Sequence, residues 1–204
     1  MKRYALKQWR NCKWKLKESK TIFMALSGES AMIKRYYDKF DMPKSITNKG
    51  LLRIIDFYLF NCPTPDISVR GKNFKDYGFI GQASFSCLKR EMMKRATSSL
   101  KNNYWPCKSD ELEPKFQLVK SVSPPDEYCV FLKWQEDTVM QSLFSAIRNS
   151  LAHGSFNVKS YNGVRIYFFI NYKDYKKAQI VLQEKTLLEW INLIQSGYEA
   201  LSPN

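Results

Sequence analysis

"FNVKSYNGVRIYFFINYKDYKKAQIVLQ", Phe156 to Gln183, is the stretch on which the fold turns. Its Asn162-Gly163 pair is a strong two-residue hairpin signal, because both central positions of a type I′ turn need positive φ. Val164 to Tyr172 is rich in β-branched and aromatic residues, as strands are. The stretch therefore reads as a small β-hairpin or meander. Because the segments around it follow a helical period, the expected architecture is mainly α, a helical bundle with the meander inserted between two late helices.

Working outward, Thr186 and Glu189 stand in the spacing of a Thr-x-x-Glu capping box, and Leu187, Leu188, Trp190, Ile191 and Ile194 carry a terminal helix. Upstream, Val139, Leu143, Ile147 and Leu151 recur every four residues beside Met140 and Phe144, which marks a helix over Asp137 to His153. Gly154 stands where a left-handed C-terminal cap belongs. Helical periods also run over Thr21 to Phe40, Leu51 to Leu59 and Phe79 to Leu100. The proline-rich residues 105–127 read as an irregular connection, with a short extended piece at Phe116 to Val119. "YCVFLKW", from Tyr128, alternates too weakly to assign. The expected organisation is one domain over 1–204: a basic helical part to 104, the connection, and from 128 the motif helix, meander and terminal helix.

With 204 residues, 44% of them hydrophobic and 15% aromatic, the chain has the composition of a folded protein. The densest apolar run, "LLRIIDFYLF", is interrupted by Arg53 and Asp56 and falls far short of the roughly 20 residues of a membrane helix. The N-terminus lacks an apolar signal core, so a cytoplasmic protein without a membrane partner is expected. Cys12, Cys62, Cys87, Cys107 and Cys129 are odd in number and form no CxxC pair, and a single histidine cannot complete a His-rich zinc site. Reduced, buried thiols are expected, with no metal and no cofactor.

Thirty-three Lys and Arg against 19 Asp and Glu give a formal charge of +14, which favours polyanionic partners, nucleic acid first. The N-terminal twenty residues concentrate that charge. Lys13, Lys15 and Lys17 are candidate phosphate contacts there, with Trp9 and Trp14 available to stack on bases. The same pattern also fits a solvated basic helix face whose tryptophans point inward.

The chain's only histidine falls in "IRNSLAHG", Ile147 to Gly154. On an ideal helix, five residues separate Arg148 from His153 by about 7.5 Å of rise and about 140° of rotation, a gap that a long arginine stem and a turning helix end can narrow. Carbonyls at a helix C-terminus favour a cation, so an imidazole there is expected to exchange protons near neutral pH. The chemistry that suits this pair is metal-independent RNA cleavage. A base removes the 2′-hydroxyl proton, that oxygen attacks the adjacent phosphorus, and a cation stabilises the phosphoryl oxygens. One histidine serves one side of such a displacement, and a symmetric dimer would bring the second. Alternatively, His153 simply caps the helix and Arg148 is a surface cation.

The string resembles the Arg-x4-6-His signature of the HEPN superfamily, in which arginine is followed by a polar residue and the histidine lies near the end of a late helix. The resemblance covers roughly Asp137 to Leu201. It implies a HEPN-like helical bundle and a metal-independent endoribonuclease, with Arg148 and His153 as the catalytic pair and Asn149 as the polar residue that supports them. It further implies a homodimer with a composite active site, RNA ends carrying a 2′,3′-cyclic phosphate, and a role as a toxin or abortive-infection effector against phage, with an antitoxin or a phage-encoded protein as partner. Some members are inactive, and a non-catalytic module that binds nucleic acid or a partner is the alternative.

Overall fold

The computed structural model describes residues 48–64, 72–172 and 174–201. All of them belong to one unit, Ser45–Asn204. Lys13, Lys15 and Lys17, and the helix expected over Thr21 to Phe40, lie outside the described residues.

The elements run α1 (Asn48–Ile55), a π-helical turn (Asp56–Asn61), a 3-10 turn (Phe74–Tyr77), α2 (Gly81–Arg95), α3 (Ser98–Asn102), β1 (Tyr104–Cys107), α4 (Leu112–Leu118), β2 (Tyr128–Leu132), α5 (Val139–Ala152), β3 (Phe156–Tyr161), β4 (Val164–Tyr172), β5 (Lys176–Gln183) and α6 (Glu184–Ser196). The strands form a single five-stranded sheet in the order β1-β2-β5-β4-β3. β1 and β2 are parallel and the other pairs antiparallel.

This corrects the expectation of a mainly helical, HEPN-like bundle: the fold is mixed α/β. The meander is real, and Asn162 and Gly163 take φ of +50° and +81° between the paired residues Tyr161 and Val164. It is not an insert, however, because β2 docks on β5 and extends it to a full sheet. β2 escaped the alternation test because all five of its residues are buried, and a strand covered on both faces shows no polar side. β1 escaped because of Pro106, which is tolerated on an edge strand, where one side of the backbone has no ladder to maintain.

The region read as an irregular connection is the crossover that a parallel pair requires. It holds α4, so Phe116 to Val119 is helical rather than extended, apart from Val119 itself, which opens a following 3-10 turn. Leu112, Phe116 and Val119 pack on Tyr128, Val130, Leu132 and Val181. The opposite face of β2 meets α5, and there Tyr104 of β1 packs on Phe131 and the buried Tyr58 lies near Cys129. α5 lies across β2, β5 and β4, and α6 packs against β4, β5, α1 and α2.

Two helix boundaries also differ from expectation. The helix expected over Phe79 to Leu100 breaks at Ala96 and Thr97, which are both extended, and resumes as α3. The terminal helix starts at Glu184 behind Gln183, so Thr186 is a buried residue of its first turn and not a cap.

Glu127, fully buried at the start of β2, ties these parts together. One carboxylate oxygen accepts the Thr97 amide at 3.1 Å and the Thr97 hydroxyl at 2.6 Å, and the other accepts the Gln183 amide at 2.7 Å. Its own amide donates to Ser99 Oγ at 2.9 Å. The break between α2 and α3, the start of β2 and the entrance of α6 therefore share one carboxylate. Glu127→Ala, which strands three donors, should cost about 3 kcal/mol in urea unfolding. Glu127→Gln should cost less but measurably, because its amide group must face one of those donors.

Candidate functional site

α5 opens with a capping box in which Thr138 Oγ1 accepts the Gln141 amide at 3.2 Å and Gln141 Oε1 accepts the Thr138 amide at 2.7 Å. From Met140 onward, only Gln141, Arg148, Asn149 and Ala152 are not buried. Even its serines are internal: Ser150 donates to the Ala146 carbonyl at 2.9 Å, and Ser142 Oγ accepts the Trp134 amide at 3.1 Å. This is a core helix whose polar residues gather toward its C-terminal end.

Arg148 is half-buried, and its Nη1 donates to Asn149 Oδ1 at 3.1 Å, which sets the plane of the guanidinium. One turn earlier Phe144 stacks on Tyr58 at 5.6 Å and meets Phe74 edge-on at 5.7 Å. The Cys62 thiol donates to the Phe144 carbonyl at 3.8 Å. Burial pushes that thiol well up, while the nearby Thr64 side chain and the Arg148 charge pull it back down. Arg148 therefore projects from a packed aromatic base, with its charge felt inside it.

His153 is the exposed C-cap, with φ −93° and ψ 0°. Its amide donates to the Asn149 carbonyl at 3.0 Å. Gly154 follows at φ +65°, its amide donating to Leu151 at 3.1 Å while the Ser155 amide reaches back to Ser150 at 2.8 Å. These two bonds are the Schellman stop that the glycine was expected to make. The turn is pinned to the sheet, since Ile170 donates its amide to the Ser155 carbonyl at 2.9 Å. The structure thus joins Arg148 to Asn149 and sets His153 just past them at the helix end.

Described basic residues gather on α2. Lys94, Arg95 and Arg90 converge on Glu91, at 2.8, 3.0 and 3.3 Å. The Lys94 hydrogen bond foremost, with Arg95 and Arg90, holds the Glu91 carboxyl down at about 2. Glu189 also reaches Arg95, at 4.0 Å, so three cations share two carboxylates and the group keeps a net positive charge. The described cysteines are free and buried. Among the described residues, no group of three or more His, Cys, Asp or Glu is placed to hold a metal ion, and no helix is long and apolar enough to cross a membrane.

A scan against protein-family models finds no match, and searches among curated proteins and solved structures return no significant match.

Gly154→Ala, which forces a side chain onto a left-handed backbone, should lower stability by about 1–2 kcal/mol in thermal or urea unfolding. Glu91 stabilises fully above its ordinary value of 4.5, and that contribution is lost as pH falls toward about 2. An acid titration of stability should therefore lose part of its slope between those values in Glu91→Gln.

Proposed function

We propose that the protein is a metal-independent endoribonuclease that cleaves RNA by attack of the 2′-hydroxyl on the adjacent phosphorus. The observation that carries this reading is the end of α5, where a core helix presents Arg148, held by Asn149, and stops on an exposed His153. The RNA supplies its own nucleophile, and an arginine can neutralise the phosphoryl oxygens without a metal. His153 accepts the 2′-hydroxyl proton, the 2′-oxygen bonds to phosphorus, and the bond to the 5′-oxygen breaks as that oxygen takes up a proton. The products are a 2′,3′-cyclic phosphate and a 5′-hydroxyl. A second copy of the chain brings the other histidine, which makes the active unit a homodimer with a composite cleft. The motif's resemblance to HEPN ribonucleases supports this reading independently of the fold. It also supports a biological role as a toxin or abortive-infection effector restrained by an antitoxin or triggered by a phage protein.

The test is incubation of the purified protein with RNA in EDTA. Cleavage should proceed and leave cyclic phosphate ends, and His153→Ala and Arg148→Ala should each lower the rate by about 10²–10⁴-fold. Asn149→Ala should act through Arg148 and cost less. Cleavage that needs a divalent ion, or that survives both substitutions, would refute the assignment; RNA binding without cleavage would favour a non-catalytic binding module.

A further inference from the structure

α4 covers the β1 and β2 side of its sheet face, and Ile166 of β4 is buried in the same cluster, while among the described residues the margin of that face on β3 and β4 is only partly covered. On that side Tyr161 and Phe168 are only half-buried, their ring centroids 6.3 Å apart and tilted by 55°. Lys159, exposed on β3, holds its ammonium 5.9 Å from the Phe168 ring centroid. Farther along β4, Ile170 is 44% exposed, and beyond a register shift Tyr172 is 61% exposed.

The charge on these two strands is one-sided. Neither contains an Asp or Glu, and their cations are Lys159 and Arg165. Arg165 is taken up by Glu184, which leaves Lys159 to the partly covered margin. Side chains two residues apart on one strand stand about 7 Å apart, so β4 presents a ladder of apolar groups in a line. A half-buried pair of rings under a lysine, with an exposed ring farther along the strand, suits a ligand that offers flat faces and negative charge together, and unpaired bases on a phosphate backbone offer both. In a duplex the base faces are buried in the stack, and such a surface has little to hold. The line also leads toward the candidate active site, because Ile170 is bonded through its amide to Ser155, two residues past His153.

We propose that the partly covered β3–β4 margin, with Tyr161, Phe168, Ile170, Tyr172 and Lys159, is a stacking platform for single-stranded RNA that leads the strand to the end of α5. The inference rests on the reading of the protein as one that acts on RNA, and it adds that the substrate is single-stranded. It also assigns the β4 aromatics a purpose that the helix motif does not reveal.

The test measures fluorescence polarisation of a labelled single strand of about a dozen nucleotides, and of the same sequence as a duplex, on full-length protein carrying His153→Ala so that nothing is cut. Tyr172→Ala and Lys159→Gln alter exposed side chains, and unchanged melting curves confirm that they fold. Each should weaken single-strand binding about fivefold or more, with duplex binding weaker from the outset. Equal affinity in the parent and both variants, or tighter binding of the duplex, overturns the platform. So does a dimer, seen by light scattering, that Tyr172→Ala dissociates while RNA affinity holds, since a second copy would then be what covers the face. If platform-dependent binding appears but the wild type cuts no RNA, the nuclease assignment fails and the platform stands.

Discussion

The constraint from which the architecture follows is that β2 has no solvent-facing side. Tyr128, Val130 and Leu132 are covered from the α4 side, and Cys129 and Phe131 are buried on the other. A strand in that position needs neighbours on both edges and helices on both faces, and the chain supplies each. β1 arrives in parallel through the α4 crossover, and β5 comes from the meander in antiparallel. Glu127, one residue before the strand, converts this packing into a fixed position along the strand axis, because its carboxylate binds the backbone on either side.

The path of α5 follows from the same arrangement. The helix leaves the end of β2 and must deliver the chain to β3, three strands away across β5 and β4. Those steps amount to about 14 Å, and fourteen helical residues span about 21 Å, so the helix runs obliquely beneath the sheet and emerges at its edge. Burial along most of its length and exposure at its end are thus two results of one route. Phe144 and Ile147 belong to the interior, and His153 belongs to the rim where the chain must turn into β3.

How legible this was depended on whether an element had a solvent face. α5 was plain because it repeats every four residues and ends in Gly154, and the β3–β4 hairpin was plain because Asn162-Gly163 admits few conformations. The helix-end residues Arg148, Asn149 and His153 could be read for the same local reasons. β2 could not, since apolar residues on both faces erase the alternation that marks a strand. Thr186 misled in another way: its spacing to Glu189 matched a cap, while the chain had already turned helical at Glu184. The cap that exists, Thr138 with Gln141, has the same kind of spacing at the start of α5. The β4 rings show in the sequence only as strand formers, because nothing in a strand's own pattern says how far a helix from another part of the chain will cover it.

The strand order has a kinetic side. β3, β4 and β5 join through short turns, whereas β2 meets β5 across about fifty intervening residues. Loop-closure entropy delays the long pairing until local hairpins provide an edge to receive it. The meander then acts as a template, and the arrival of β2 with α4 closes the sheet from the other side. In this sequence the rim that carries His153 is built among the early contacts, and the interior that holds Glu127 is sealed among the last.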